Sequence, residues 1–362
     1  MFNENLFADK LAGLEPYLVD ADRYEVRLDA NESYFSLPQE LRDEFARRMR
    51  ALDFNRYPDT EADELCRAFA AYYGVRRENV RAGNGSDEII SILMNGFVDK
   101  GQAVMTVTPD FSMYAFYASL AELAVVSCPK DAETLQIDFA CAERMIRENA
   151  VKLCVFSNPC NPTGRIEKKS DIAALAAACP DTLFVIDEAY MDFAGAFSSE
   201  SFLSDIGAYA NIVLLKTMSK AIGAAALRLG FLVADERFCR MFSAVKSPYN
   251  VNSVSQSFGT ALLERADLLR ARTVQVTEAK ESLRRELIAR QLAAPVPMYT
   301  NFVYYTAPDA VAIFEALKAS GVLVRCFAAQ NALRVTAGTS AENARFLDTL
   351  ERIMQNLFGS RT

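Results

Sequence analysis

Histidine is missing from this chain of 362 residues. Its absence excludes a Ser-His-Asp triad, a histidine-bound zinc and any imidazole acid or base. Proton transfer must fall to lysine, tyrosine or a carboxylate. Positive charge is in deficit too: 39 Lys and Arg stand against 47 Asp and Glu, a net charge of −8. That balance leaves no basic footprint for nucleic acid or an anionic membrane surface. No apolar run approaches the roughly 20 residues of a membrane span. The opening Met1-Phe2-Asn3-Glu4-Asn5 lacks the charged and apolar regions of a signal peptide, so a cytoplasmic location is expected. Repeats, low-complexity stretches and linkers are lacking. The eight cysteines form no CxxC pair, and several, such as Cys154, fall in apolar strands as reduced core residues do. No metal site is expected.

Apolar residues make up 51% of the chain, enough for two domains and a large core. Strand candidates Val104 to Val107, Val125 to Ser127, Leu153 to Phe156, Leu183 to Ile186, Ile212 to Leu215 and Phe231 to Ala234 alternate with helical stretches. Such alternation predicts an α/β fold with a mostly parallel sheet. Leu41, Phe45, Met49, Leu52 and Leu65, Phe69, Tyr72 show the apolar spacing of packed helices. After Pro248 the pattern changes to a long charged amphipathic helix, then Phe302 to Tyr305, a helix from Asp309, strands Val322 to Arg325 and Leu333 to Thr336, and a last helix capped by Ser340. The expected division is a large domain over 36–248 and a smaller α+β domain over 249–362, completed by an arm over 1–35.

Four segments carry chemistry. In Thr217-Met218-Ser219-Lys220, with Arg228 eight residues on, a lysine amine sits beside two hydroxyls and a guanidinium. That set suits a Schiff base to pyridoxal phosphate with its phosphate gripped alongside. Alone, it is more often an ordinary solvated helix start. Leu183 to Ile186 is an apolar run ending in Asp187-Glu188-Ala189-Tyr190. Asp187 there can pair with the pyridine nitrogen and Tyr190 can reach the ring oxygen, unless Asp187 merely caps a helix. Asn158-Pro159-Cys160-Asn161-Pro162-Thr163-Gly164 follows another apolar strand, and its prolines fix the amide of Asn161 in one orientation. Gly83-Asn84-Gly85-Ser86-Asp87 opens an amphipathic helix, whose first N–H groups at Ser86 and Asp87 offer an anion seat. Each segment ends a strand, the edge at which open α/β sheets bind ligands.

These segments, in this order, resemble the fold-type-I pyridoxal-phosphate aminotransferases, and within them the histidinol-phosphate aminotransferase group. The resemblance extends to Leu14-Glu15-Pro16-Tyr17, Leu28-Asp29-Ala30-Asn31-Glu32, Arg56-Tyr57-Pro58-Asp59 and Leu333-Arg334-Val335-Thr336-Ala337-Gly338-Thr339, and so spans nearly the whole chain. It implies a three-layer large domain with a smaller α+β domain, and pyridoxal 5'-phosphate as cofactor. It further implies Lys220 as the Schiff-base lysine and proton shuttle, Asp187 at the pyridine nitrogen, and Asn161 and Tyr190 at the ring oxygen. Ser86, Asp87, Thr217, Ser219 and Arg228 would hold the phosphate. Phe111 would stack on the ring where the family usually has tyrosine, and Tyr57 would reach the phosphate of the other subunit in a homodimer. Tyr17, Asn31, Asn161, Arg325 and Arg334 would bind substrate. Cys160 and Ala226 depart from the family's asparagine and glycine.

The implied activity is transamination between an anionic amine, histidinol phosphate foremost, and 2-oxoglutarate. Aromatic amino acid transamination and decarboxylation of phosphorylated threonine are the alternatives within the fold. A non-catalytic cofactor-sensing module is disfavoured, because the segment before the large domain is too short for a helix-turn-helix unit.

Overall fold

Unbroken apolar strands need helices on both faces, and this chain supplies them. A computed structural model describes residues 8–11, 20 and 22–359. Among the described residues the twelve strands are β1 (Val26–Arg27), β2 (Val80–Gly83), β3 (Ala103–Thr108), β4 (Ala124–Pro129), β5 (Leu153–Ser157), β6 (Leu183–Asp187), β7 (Ile212–Thr217), β8 (Gly230–Ala234), β9 (Phe302–Thr306), β10 (Val322–Leu323), β11 (Arg325–Phe327) and β12 (Ala332–Thr336). The α-helices are α1 (Gln39–Arg50), α2 (Asp63–Tyr73), α3 (Ser86–Gly96), α4 (Met113–Leu120), α5 (Phe139–Glu148), α6 (Lys169–Ala178), α7 (Glu236–Val245), α8 (Ser253–Leu263), α9 (Ala266–Ala289), α10 (Ala310–Ala319) and α11 (Ser340–Phe358).

Seven strands form one sheet in the order β2-β8-β7-β6-β5-β3-β4. The pairs from β7 to β4 are parallel, and β8 runs antiparallel to both of its neighbours. Period-two alternation splits each central strand between two cores. Phe156, Phe184, Ile186, Leu214 and Phe231 pack with α2, α5, α6 and α8. Val155, Val185, Val213, Leu215 and Leu232 pack with α3, α4 and α7. The result is the expected three-layer arrangement. Strand β2 was expected only as the strand before the Gly83 turn and had no bounds among the candidates, because Val80-Arg81-Ala82-Gly83 is so short. All four residues are buried nonetheless.

A second, antiparallel sheet, β11-β12-β9, packs against α9, α10 and α11 in a separate core. The amino-terminal β1 pairs in parallel with β10, and Val26 and Leu28 join that core. Three local expectations are revised. Val322 to Arg325 is two strands: β10 pairs with β1, and β11 with β12. The helix after Pro248 is two helices, broken between Leu263 and Ala266. Thr339, not Ser340, caps α11, in a capping box with Glu342 that satisfies donors at both ends of the turn. All eight cysteines are free. Among the described residues, no helix is long and apolar enough to cross a membrane, and no metal-binding cluster occurs.

Candidate active site

Because β5, β6 and β7 are parallel and in register, with Ser157 opposite Asp187 and Asp187 opposite Leu215, their carboxyl ends share one edge. The Asn158–Gly164 turn, Asp187 and the Thr217–Lys220 segment therefore emerge side by side. Antiparallel β8 begins at the same edge, with Gly230 opposite both Thr217 and Gly83. The start of α3 is thereby brought to this edge as well. A Cβ on Gly230 would lie 2.4 Å from the carbonyl carbon of Gly85 and the nitrogen of Ser86, so glycine permits this close approach of backbones.

The anion seat is built from these turns. Helix α3 starts after Gly85 (φ 83°) without a side-chain cap, which leaves its first N–H groups and positive dipole end to an exogenous anion. Thr217 donates through Oγ1 to Ser219 Oγ at 3.0 Å, and the Ser219 N–H donates back to Thr217 Oγ1 at 3.1 Å. Arg228 adopts the left-handed conformation (φ 49°) and pairs with Asp87 at 3.2 Å. A Cβ on Gly85 would come within 2.8 Å of the Arg228 guanidinium, so glycine again leaves the room. Ala226 lies in the short turn Ala225–Leu227 that leads into Arg228, on the exposed side.

Asp187 is 5% exposed. Tyr114 donates to its Oδ2 at 2.8 Å and the Ala189 N–H to its Oδ1 at 3.0 Å. No α-helix follows it, so the capping explanation does not apply. Burial pushes its carboxyl up to about 6, against the pull of the Tyr114 hydroxyl. Among the described residues no ion pair involves it. A buried carboxylate with no cation of its own is what a protonated pyridine nitrogen would complete. Phe111 meets Tyr114 edge to face, centroids 5.4 Å apart.

The opposite wall comes from the amino-terminal arm and the second core. Asn31, at φ 55° and 1% exposed, donates through Nδ2 to the Tyr190 hydroxyl at 2.8 Å. Thr336 and Asn301 hold Asn31 in turn. Lys220 Nζ donates to the carbonyl of Ala30 at 2.9 Å. Arg334 donates to Asn161 Oδ1 at 2.5 Å and to the carbonyl of Asp29 at 2.6 Å. Its guanidinium lies over the rings of Phe302 and Phe327. Arg325 is directly opposite Arg334 in the β11–β12 register, which places both on one face of the sheet. Tyr57 is 79% exposed and stacked on Tyr249 at 4.3 Å. Tyr17 lies outside the described residues.

Residues that sequence reasoning missed include Tyr114, Asp110 and Ser157. Asp110 accepts from the Ser157 N–H at 3.0 Å and from its hydroxyl, and the Asn161 N–H donates to Ser157 Oγ at 3.0 Å, which pins the turn that carries Asn161. Cys160 is buried, its Sγ 3.6 Å from the carbonyl of Pro109. The available signal for Tyr114 was its spacing: three residues after Phe111, it falls on the same face of a helical turn.

Comparison with known proteins places this geometry in a family. Residues 24–350 match aminotransferase class I and II. The histidinol-phosphate aminotransferase of Clostridium kluyveri is 35% identical, covering 97% of this chain and 99% of that protein. That of Clostridium novyi is 36% identical over 96% and 97%. The crystal structure of histidinol-phosphate aminotransferase from Sinorhizobium meliloti, in complex with pyridoxal 5'-phosphate, superposes with a TM-score of 0.87. It covers 99% of each chain at 21% identity. An uncapped helix start, a lysine beyond a strand end and a buried carboxylate lacking a cation fit that cofactor, and the chain belongs to the class I and II aminotransferases, which depend on pyridoxal phosphate.

Proposed function

We propose that this aminotransferase moves an amino group between histidinol phosphate and 2-oxoglutarate in two half-reactions at one site. The observation that carries the substrate class is the pairing of Arg325 with Arg334 on one sheet face, directly opposite each other. Two guanidinium groups so placed suit a dianionic phosphate better than a single carboxylate. The names of the relatives that match nearly the whole chain support the same substrate.

Pyridoxal 5'-phosphate, when bound, supplies an aldehyde carbon for amines and a ring that takes up the electron pair left when the α-proton departs. Lys220 would hold the cofactor through its Nζ, and the same amine, once free, would serve as the base and acid that moves the α-proton. Asp187 keeps the ring nitrogen protonated. The Asn161 amide oxygen is taken by Arg334, so its NH2 is left to donate to the ring oxygen. The Tyr190 oxygen accepts from Asn31, which leaves its own hydrogen for the same task. Ser86, Asp87, Thr217, Ser219 and Arg228 seat the phosphate, Phe111 covers the ring, and Tyr57 reaches the partner's site in a homodimer. Tyr17, Asn31, Asn161, Arg325 and Arg334 receive the substrate. The proposed division gives 36–248 to the cofactor and 249–362, with the arm 1–35, to the smaller domain, save that α8 packs in the core of the large sheet.

A panel of amino donors with 2-oxoglutarate, followed by oxo product and carbon dioxide, tests the reading. Histidinol phosphate should give the highest kcat/KM. Preference for phenylalanine or tyrosine would reassign the enzyme to aromatic amino acids, and carbon dioxide from phosphothreonine would reject transamination.

A further inference from the structure

Tyr114 and Asp187 form a polar pair below the ring site, Tyr114 being 1% and Asp187 5% exposed. Tyr114 lies in the first turn of α4, and its hydroxyl crosses to the end of β6 to donate to Asp187 Oδ2 at 2.8 Å. The Ala189 N–H occupies Oδ1 at 3.0 Å. Each carboxylate oxygen thus has one protein donor and keeps capacity for another. The charged groups that face Asp187 are Asp110, just before α4, and Asp87 in the first turn of α3, and both repel its charge. Tyr114 faces Asp187, Asp110 and Cys160. Burial holds its phenol well above the ordinary value, so it remains a donor throughout the range in which the enzyme works.

We propose that Tyr114 is a positioning residue for the cofactor: its hydroxyl fixes the orientation of the Asp187 carboxylate and solvates the negative charge that Asp187 presents to the pyridine nitrogen. The proposal rests on the role given to Asp187 above. Without the hydroxyl, the carboxylate keeps only one donor against burial and two like charges, and it would hold its proton to higher pH.

The sign of the pH effect follows. Asp187 has its carboxyl raised from 3.8 to about 6 on folding, so it binds its proton more tightly in the folded state, and the associated stability is fully present below pH 3.8 and lost as pH rises through about 6. Removing the Tyr114 donor raises the carboxyl further and extends that loss to higher pH.

The test compares cofactor-free wild type, Tyr114→Phe, Asp187→Asn and the double variant by thermal unfolding from pH 5 to pH 8. The Tyr114→Phe deficit should grow by at least about 2 °C across that range, and the growth should vanish in the Asp187→Asn background. A deficit independent of pH, or equal growth in both backgrounds, overturns the proposal. If Tyr114→Phe fails to fold while the double variant folds, the dependence on Asp187 is confirmed; if neither folds, it is overturned. Equilibrium dialysis at pH 8 supplies the second readout: Tyr114→Phe should weaken cofactor binding about tenfold. Asp187→Ala separates the two readings. Weakened binding in Asp187→Ala but unchanged binding in Tyr114→Phe sinks the proposal alone, whereas unchanged binding in Asp187→Ala sinks the reading of Asp187 and the proposal with it.

Discussion

Arg334 donates to the amide oxygen of Asn161 at 2.5 Å although 173 residues separate them in the chain. The contact joins the carboxy-terminal sheet to the turn after β5, and it couples the group that would read the substrate anion to the group that would hold the ring oxygen. Replacing Arg334 with Ala should lower kcat/KM for the donor by about one to two orders of magnitude, the worth of roughly 1.5–3 kcal/mol for a charge-assisted contact. Arg334→Lys should recover little, because an ammonium cannot serve Asn161, the Asp29 carbonyl and an anion with one planar fork. Full activity in the Lys variant would argue for a simple charge at this position.

Lys220 stands just beyond the end of β7, with its amine 2.9 Å from the Ala30 carbonyl. Borohydride reduction of the loaded protein should fix the cofactor to the peptide containing Lys220, read by mass spectrometry. Lys220→Ala should still bind the cofactor but lose turnover. Label on any other lysine would remove Lys220 from its assigned role.

Tyr57 and Tyr249 form an exposed stacked pair. A two-fold homodimer would explain why two large aromatic side chains are left uncovered. Lys220→Ala and Tyr57→Phe chains, each impaired alone, should regain activity when mixed, since one site in the heterodimer would hold both intact residues. Verified heterodimers that remain inactive would count against a shared site.

Much of this site was legible in the sequence because its residues sit at punctuation points. Asp187 ends an apolar run, Asn161 lies between two prolines, and Ser86 follows a glycine pair. Such signals are local. The contacts that tie them together are not: Asn31 to Tyr190 spans 159 residues and Tyr114 to Asp187 spans 73, and neither has a pattern of period two or 3.6 to announce it. The bounds of strand β2 were missed for the same kind of reason. Its burial comes from α2, α3 and α7 folding around it rather than from its own composition. The cap of α11 shows the limit at single-residue scale, where Thr339 and Ser340 are equally good candidates until Glu342 selects Thr339.

Behind the site, strand alternation sends the residue after Asp187 and the residue before Thr217 to the other face of the sheet. Glu188 and Lys216 are 0% and 2% exposed. Lys216 Nζ lies 3.2 Å from Asp192 and 3.8 Å from Glu188, and 4.9 Å from the centre of the Tyr73 ring. Ser201 donates to Glu188 at 2.7 Å. Truncating one member of such a buried set leaves an uncompensated charge, so Lys216→Met should cost about 3–5 kcal/mol in denaturant unfolding. Burial already holds the Glu188 carboxyl above its ordinary value, with Lys216 pulling it down. Loss of Lys216 raises it further. A carboxyl raised in the folded state contributes stability at low pH that is lost as pH rises through its folded value, so the Lys216→Met deficit should be smaller at pH 5 than at pH 8. An equal deficit at both would mean that Lys216 acts through packing against Tyr73 and not through its charge.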